Sequence, residues 1–277
     1  IRDRSTTMKM LTGYLPITDG RAAVCGYDVV GESLESRKKI GYLPEGAPLY
    51  GDMSGLAFLN FVAEIRGFRG SEIKQRVDYA VNRLELQSVI NKPIETLSKG
   101  FKRRVGLAQA ILHDPDVLIL DEPTDGLDPN QKHHVRALIK SLATDKIVII
   151  STHLLEEVTA VCSRAVIIAN GKIVADGTPS ELESQSRFHQ AIRVTLTDSH
   201  DLVADLATLP GIASVEVEED NRLAYTIFAE GGASIFSQVS EIAQQKHWPI
   251  SEFHVERGQL EDVFRSVTQQ SEGQTDE

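Results

Sequence analysis

The chain has 277 residues, 41% hydrophobic and 25% charged, a globular composition that excludes disorder as its dominant state. No stretch approaches the roughly 20 apolar residues of a membrane span, so we expect any membrane role to come through a partner. The net charge is -11, and residues 188–277 hold 16 acidic but only 5 basic side chains. This asymmetry predicts a domain boundary near residue 187. It also argues against nucleic acid as a partner, because phosphate binding needs clustered Lys and Arg.

The first predicted elements form a helical block at 56–66, 72–86 and 99–113, where apolar residues recur at helical spacing. Two short and wholly apolar runs follow, at 117–120 and 147–150. They predict strands that are buried on both faces, as in a parallel sheet. A helical pattern at 129–143 lies between them and has the length of a crossover connection. This order indicates an α/β domain with a helical subdomain over about 54–113.

Beyond the sheet, two short strands flank Asn170-Gly171, a dipeptide suited to a tight hairpin because both residues take positive φ. Thr178-Pro179 followed by Glu181 predicts a helix start. From residue 191 the order becomes β-α-β-β-α-β, which is typical of a ferredoxin-like domain. Its strands are expected at 191–197, 213–217, 223–228 and 250–255, and its helices at 201–209 and 233–246. We predict domains over 1–187 and 188–269, with a polar tail over 270–277.

Cysteine usage bears on the redox compartment of the protein. The two cysteines, Cys25 and Cys162, are far apart in sequence and sit in apolar surroundings. We therefore expect reduced thiols in a core, as in a cytosolic protein, and no disulfide.

Two adjacent carboxylates, Asp121 and Glu122, follow the apolar run 117–120. This places them at the carboxyl end of a buried strand, where parallel sheets bind their ligands. In a phosphate site Asp121 would hold Mg²⁺, through water, and Glu122 would polarise the attacking water. Taken alone, the pattern is explained equally well by a strand that runs into a polar turn.

The segment Leu97-Ser98-Lys99-Gly100 precedes that strand and opens the predicted helix 99–113. A Ser and a Gly at a helix N-terminus offer an anion a hydroxyl, backbone N–H groups and the positive end of the dipole. An ordinary N-capped helix would also explain the segment alone. In its order before Asp121-Glu122, however, it resembles the signature motif of ABC ATPases, and the resemblance covers residues 5 to about 187. The resemblance implies a P-loop NTPase fold. It also implies that Ser98 and Gly100 contact the γ-phosphate of an ATP molecule that is bound by the opposite subunit.

Three further segments are similar to motifs of the same family. The run Pro123 to Asp128 resembles the loop that crosses the dimer interface, which implies a nucleotide-binding role for Asp128. Ser151-Thr152-His153 resembles the switch-histidine segment, which implies that His153 contacts the γ-phosphate and helps position the water. The segment Ile40 to Glu45 resembles the strand and loop that link nucleotide to the membrane partner. Glu45 stands where most relatives have Gln, and either side chain offers an oxygen near Mg²⁺.

The phosphate-binding loop departs from the family pattern. That loop requires Gly, four residues, Gly, Lys and then Ser or Thr, because glycines let backbone N–H groups wrap the phosphates. Aligned on Ser5-Thr6-Thr7, Arg4 occupies the Lys position and Asp3 the preceding Gly. The resemblance still implies a Mg²⁺-binding hydroxyl at Ser5 and a phosphate contact at Thr6. We expect a chain truncated within this motif; the alternative is an inactive subunit or fragment whose signature motif serves a partner's ATP.

The segments 43–50, 97–104 and 260–264 together most resemble the ATPases of ABC-2-type exporters, including the gliding-motility kind. The resemblance implies an ATP-hydrolysing subunit that uses ATP and Mg²⁺ and energises an integral-membrane permease. It further implies a homodimer or pairing with another ABC ATPase subunit, in the cytoplasm at the inner face of the cell membrane. The rival classes are a soluble ABC ATPase of repair or translation, a non-enzymatic interaction protein, and a kinase or GTPase.

Overall fold

The computed structural model of the chain describes residues 2–46, 49–206, 209–218 and 220–273, with side chains excluded at 2–4 and 270–273. It divides into two compact units, Ile1–Val161 and Cys162–Glu277. The division precedes the boundary near 187 that the charge distribution predicts, so the predicted domain of 1–187 stays a prediction. In the described part of the chain, no helix combines the length and apolar character needed to cross a bilayer.

Unit 1 is built on a parallel sheet of three strands in the order β3-β4-β5. The pairing is in register, with Leu43 opposite Leu120 and Asp121 opposite Ser151, so the carboxyl ends of the strands meet at one edge. The strands of this unit are β1 (Ala23–Val24), β2 (Tyr27–Asp28), β3 (Ile40–Leu43), β4 (Val117–Asp121) and β5 (Ile147–Ser151). The two apolar runs are therefore parallel strands, as predicted, and β4 is buried along its whole length. The expectation of burial is wrong for β5, where Ile147 is exposed and 148–150 are partly buried, because β5 pairs with only one strand among the described residues.

The described residues of unit 1 form seven α-helices. They are α1 (Arg2–Leu11), α2 (Ser33–Lys39), α3 (Gly55–Ile65), α4 (Ser71–Arg83), α5 (Lys99–Ile111), α6 (Pro129–Leu142) and α7 (Leu155–Val161). The helical block α3, α4 and α5 shares one hydrophobic core with Leu118 and Leu120 of β4. Helix α6 begins at Pro129 with Asp128 as its N-cap, so the predicted crossover helix is confirmed.

Helix α5 packs closely on β3, which is an edge strand. A Cβ added at Gly41 would lie 2.1 Å from the carbonyl oxygen of Ala110, so only glycine permits this approach. Polar side chains of α5 and the residues after it donate to the backbone of β3. Gln109 Nε2 donates to the Tyr42 carbonyl over 2.6 Å, and the His113 ring lies 3.0 Å from the Ile40 carbonyl. These bonds join the backbone carbonyls of Ile40 and Tyr42 to α5 and the turn after it.

Unit 2 contains an antiparallel sheet of four strands in the order β11-β8-β10-β9. Together with the element order, this is the ferredoxin-like arrangement that the sequence predicts. The elements are β6 (Ala165–Ala169), β7 (Lys172–Gly177), α8 (Pro179–Glu183), β8 (Ile192–Leu196), α9 (Leu202–Leu206), β9 (Ile212–Val217), β10 (Ala224–Ala229), α10 (Phe236–Gln245), β11 (Ile250–Val255) and α11 (Leu260–Gly273). Of the helix predicted at 201–209, residues 207 and 208 lie outside the described residues.

The turn and cap predictions in unit 2 are confirmed. Asn170 and Gly171 take φ values of 51° and 74° between β6 and β7, as a two-residue hairpin requires. Thr178 and Glu181 form a reciprocal capping box at the start of α8. Helix α11 is missing from the sequence-based prediction. It packs on α8 and on the β6–β7 hairpin, and Asp262 accepts a hydrogen bond from the Ser186 hydroxyl over 2.9 Å.

No disulfide joins Cys25 and Cys162, but the expectation of a core position is wrong for Cys25, which is exposed. Cys25 and Gly26 form the turn between β1 and β2, with φ values of 52° and 85°. A tight hairpin turn projects its side chains away from the strands, so the apolar neighbours of Cys25 in sequence do not bury it. Cys162 is partly buried.

Candidate functional site

Asp121 is the last residue of β4 and is fully buried. Its Oδ1 atom accepts a hydrogen bond from the Ser151 hydroxyl, and the Ser5 hydroxyl of α1 lies 3.4 Å from the same atom. Its other oxygen, Oδ2, is buried with no hydrogen-bond partner among the described residues. A buried carboxylate oxygen without a partner is costly in an empty site and suited to a cation. The structure thus brings together Ser5 and Asp121, two of the residues predicted to hold Mg²⁺.

Glu122 and His153 are in direct contact, with 2.9 Å between Glu122 Oε2 and His153 Nδ1. Glu122 adopts a φ of 49°, and its amide donates to the Ser151 carbonyl over 3.0 Å, which fixes the turn after β4 to the end of β5. An ionised carboxylate only accepts hydrogen bonds, so Nδ1 of His153 is the donor in this contact. The side chain of Glu122 is 15% exposed and that of His153 is 48% exposed.

Two residues that the sequence analysis did not assign to the site face these acids. Tyr42 of β3 is partly buried, and its hydroxyl has no hydrogen-bond partner among the described residues. Burial raises the pKa of Tyr42 to about 12, and Asp121 adds to the increase. Arg103 of α5 is 5% exposed and donates to the Pro44 carbonyl over 3.5 Å. Burial lowers the pKa of Arg103, against the attraction of four acids: Asp125, Glu122, Asp121 and Glu45.

Glu45 lies in an exposed turn just after β3, and its neighbours Ala47 and Pro48 lie outside the described residues. Glu45 follows the carboxyl end of β3, so it lies at the same edge of the parallel sheet as Asp121. No hydrogen bond or ion pair in the described part of the chain involves its side chain. Thr6, predicted to contact phosphate, is exposed on α1. Of the phosphate-loop residues, the side chains of Asp3 and Arg4 lie outside the described residues.

Ser98, Gly100 and Asp128 lie at two neighbouring helix N-termini. Ser98 caps α5 by accepting from the Phe101 amide over 3.4 Å, and Asp128 caps α6 by accepting from the Gln131 amide over 2.9 Å. A Cβ at Gly100 would lie 2.4 Å from Gln131 Oε1, so the two helix starts are close together. No hydrogen bond or ion pair within the described ranges joins this group to Asp121 or Glu122. The structure thus brings Ser98, Gly100 and Asp128 together at the starts of α5 and α6, where Gly100 is buried.

The donor set limits the metal that could bind. The described residues contain no group of three or more His, Cys, Asp and Glu side chains able to hold a metal ion. Asp121 offers a carboxylate whose Oδ2 has no hydrogen-bond partner among the described residues, and the Ser5 hydroxyl lies 3.4 Å from its Oδ1. Such a sparse oxygen set fits Mg²⁺, which keeps several waters and is commonly held by one or two carboxylates together with substrate phosphates.

The chain is similar to a protein family and to several known proteins. A family model described as "ABC transporter" matches residues 4–125. The linearmycin resistance ATP-binding protein LnrL of Bacillus subtilis (strain 168) is 31% identical over 268 residues, which are 96% of this chain and 86% of that protein.

Two solved structures support the same comparison. The structure of cbiO1 from Clostridium perfringens, part of the ABC transporter complex cbiONQ, has 28% identity and a TM-score of 0.59; the match covers 66% of this chain and 75% of that chain. A dimeric ATP-binding cassette in a post-hydrolysis state, bound to ADP and Pi, has a TM-score of 0.58 over 64% of this chain and 80% of its own. Its identity is 21%, so the likeness is one of fold.

Proposed function

Since the chain belongs to the ABC transporter family of ATP-binding proteins, we propose that its ATP site lies at the carboxyl edge of β3, β4 and β5. The protein has the α/β fold of the P-loop ABC ATPases and is the ATP-binding, ATP-hydrolysing subunit of a transporter. One observation carries the location of the site. Asp121 is fully buried, its Oδ2 has no hydrogen-bond partner among the described residues, and the next residue, Glu122, contacts His153.

The residues at this edge have two roles, binding of Mg²⁺ and phosphate and activation of the attacking water. Asp121 and Ser5 hold Mg²⁺, with Glu45 as a further oxygen donor, and Thr6 contacts phosphate. Bound Mg²⁺ supplies charge neutralisation for the phosphates of ATP. Glu122 orients and polarises the attacking water. His153, held through Nδ1 by Glu122, presents Nε2 to the γ-phosphate region. Water adds to the γ-phosphorus and gives a proton to Glu122, the bond to the β–γ bridging oxygen breaks, and ADP and phosphate leave.

A second copy completes the site in this proposal. Proteins of this family pair as dimers, and the structural relative bound to ADP and Pi is dimeric. We assign Ser98, Gly100 and Asp128 to a nucleotide held by the other subunit; Ser98 is exposed at the start of α5, whereas Gly100 is buried in the single chain. The N-termini of α5 and α6 direct backbone N–H groups and dipoles outward, which suits an anionic γ-phosphate. The partner is either an identical chain or a paired ABC ATPase subunit.

The membrane partner is an integral-membrane permease, and the protein acts in the cytoplasm at the inner face of the cell membrane. ABC ATP-binding proteins function with transmembrane permease components. An exposed aromatic cluster on unit 1 supports a docking face. Tyr50 is 57% exposed and lies 5.9 Å, ring centroid to ring centroid, from Phe61 of α3. Tyr50 follows the segment 40–45, so a contact here would connect the permease to Glu45. The relatedness to a resistance protein favours export.

The test of this function is the change Glu122→Gln. The amide cannot accept a proton, so phosphate release from Mg-ATP should fall to the background rate while ATP still binds, as measured by fluorescent-nucleotide titration. Glu156→Gln is the matched control, because Glu156 is 62% exposed, near the same edge but outside the site. Unchanged turnover in Glu122→Gln would refute the assignment of Glu122.

A further inference from the structure

Glu157 of α7 is a buried carboxylate that the proposed reaction does not use. It is 1% exposed, and each of its oxygens accepts a different hydroxyl. Oε1 accepts from Thr124, and Oε2 accepts from Thr152 over 3.1 Å. Both threonines are themselves buried. The carboxylate therefore joins two loops that are separated by 28 residues in sequence and that follow different strands.

The two threonines hold the loops that carry the proposed catalytic residues. Thr124 lies two residues after Glu122, in the turn where the Asp125 amide donates to the Glu122 carbonyl over 3.2 Å. Thr152 directly precedes His153, and its hydroxyl oxygen also accepts from the Leu154 amide over 3.0 Å. Each link from Glu157 thus ends within two residues of one partner of the Glu122–His153 contact.

The electrostatic setting of Glu157 requires these bonds. Burial raises the pKa of Glu157 and the Glu122 charge adds to the increase, against the Thr152 bond and the charges of Arg136 and Lys132. The nearest cation, Arg136, lies 3.7 Å from Glu157 but only 2.8 Å from the exposed Glu156. A buried carboxylate is tolerated when its oxygens accept good hydrogen bonds. Here the two threonine hydroxyls supply them.

We propose that Glu157 is a positioning residue for ATP hydrolysis. By fixing Thr124 and Thr152 on its two oxygens, it keeps Glu122 and His153 in contact. The inference rests on the proposed function, because it assigns roles to those two residues. Glu157 is buried behind both loops, so it acts on the reaction through them.

The first experiment measures the loops without nucleotide. Hydrogen exchange is followed in the full chain for peptides covering 122–128 and 151–157, in Glu157→Ala and in the matched control Glu156→Ala. The control removes a neighbouring carboxylate on the same helix that bonds to Arg136 and to neither loop. Exchange should rise in both peptides for Glu157→Ala and remain at the wild-type rate for Glu156→Ala. Equal exchange in the two variants would overturn the proposal.

The second experiment separates positioning from folding. Thr124→Val removes one hydroxyl and keeps the side-chain shape, whereas Thr124→Ser keeps the hydroxyl and removes the methyl group. The valine variant should lower kcat by about 100-fold, as expected for a small displacement of a reacting group, with the KM for ATP unchanged. The serine variant should retain most of kcat. If both variants lose the same activity, packing and not the hydroxyl is responsible, and the proposal is wrong. This pair remains informative if Glu157→Ala fails to fold.

A double-variant comparison distinguishes failure of this inference from failure of the proposed function. In a His153→Ala background, Thr124→Val should add little further loss, because the contact it maintains is already gone. If Glu122→Gln stops turnover but Thr124→Val behaves as wild type, the positioning role falls and the proposed function stands. If Glu122→Gln leaves turnover unchanged, the proposed function falls, and with it the role given to Glu157 in hydrolysis.

Discussion

Two aspartates, one in each compact unit, are largely withdrawn from solvent and have very different surroundings. In unit 2, the side chain of Asp205 is 14% exposed and accepts from His200 over 2.7 Å and from Trp248 over 2.8 Å, with Lys246 at 3.3 Å. The hydrogen bond from His200 is the largest cause of the lowered pKa of Asp205. In unit 1, Asp121 is fully buried and its Oδ2 has no partner among the described residues. Side chains of the protein contact both carboxylate oxygens of Asp205, whereas Oδ2 of Asp121 has no such partner in the described residues.

The number of hydrogen-bond partners distinguishes a structural carboxylate from a functional one better than the net charge of the unit does. Unit 2 carries the whole acidic excess of the chain, but some of its acids pair with arginines at the surface, as Glu216 of β9 does with Arg187. Exposed pairs of this kind contribute little to stability. The buried carboxylates Asp121 and Glu157 lie in unit 1, which has nearly balanced charge. The site is therefore identified by a buried carboxylate oxygen without a hydrogen-bond partner among the described residues, and not by the number of acidic residues in a unit.

The largest expected effect is that of Asp121→Asn. The amide keeps the shape of the side chain but loses the charge that would hold a cation, so Mg-dependent phosphate release should fall roughly 1,000-fold, since a catalytic metal supplies several kcal/mol. The free energy of unfolding should not decrease, because the change removes a buried charge that the protein does not neutralise. Both quantities are measured on the same preparation, by phosphate assay and by denaturant unfolding.

Asp205→Asn is the matched change in unit 2. Loss of charge there weakens hydrogen bonds from His200 and Trp248, and we expect the unfolding free energy to fall by about 1 kcal/mol. Phosphate release should keep its wild-type rate. Trp248 is the only tryptophan of the chain, so its fluorescence reports on unit 2 directly. If Asp205→Asn lowers turnover as much as Asp121→Asn, or if Asp121→Asn unfolds the protein, the distinction between the two carboxylates fails.

The sequence predicts the elements whose pattern is local. The apolar runs of β4 and β5, the Asn170-Gly171 hairpin and the capping box at Thr178 all follow from neighbouring residues, and the structure confirms them. Helix α11 is missed because it packs on α8, a contact between segments distant in sequence. The position of Cys25 is predicted wrongly because a turn, and not its apolar neighbours, decides its exposure.

The part of the site that follows from local sequence motifs was predicted, and the part that depends on packing between distant segments was not. The order of the motifs points to Asp121, Glu122 and His153, and the structure brings them to one edge of the sheet; their roles stay predictions. Sequence cannot distinguish Glu157 from Glu156, since both lie in the first turn of α7. Only the packing shows that Glu157 faces the two loops while Glu156 faces solvent. Arg103 and Tyr42 are likewise recognised only from what surrounds them.

The two units are also expected to differ in how their stability depends on pH, and this effect is smaller than the loss of activity in Asp121→Asn. Burial lowers the pKa of His113 in unit 1 to about 4, with Arg66 and Arg76 acting in the same direction and Ile40 and Asp114 against it. The unfolded chain therefore binds more protons than the folded one between pH 6.5 and about 4. Unit 1 should lose stability as pH falls through this window, by at most about 3 kcal/mol. Asp205 in unit 2 has a lowered pKa, so its contribution is lost only below about pH 4.

His113→Gln tests this pH dependence. Glutamine can still donate to the Ile40 carbonyl but does not titrate, so the difference in unfolding free energy between the variant and the wild type should grow in favour of the variant from pH 7 to pH 5. Circular dichroism follows both units, and Trp248 fluorescence follows unit 2 alone. The fluorescence transition should be the same in both proteins. A pH-independent difference between variant and wild type would show that His113 does not cause the loss.

The smallest expected effect compares two helix caps. Ser98→Ala in unit 1 and Thr178→Ala in unit 2 each remove a hydroxyl that accepts a backbone N–H, and each should cost about 1 kcal/mol of unfolding free energy. If Ser98 also contacts the nucleotide of a second subunit, only Ser98→Ala should lower phosphate release, and the loss should persist at saturating ATP. Equal turnover in the two variants would leave Ser98 as a cap and nothing more. Reduced turnover in Ser98→Ala alone would mean that this hydroxyl serves both the helix and the partner's ATP.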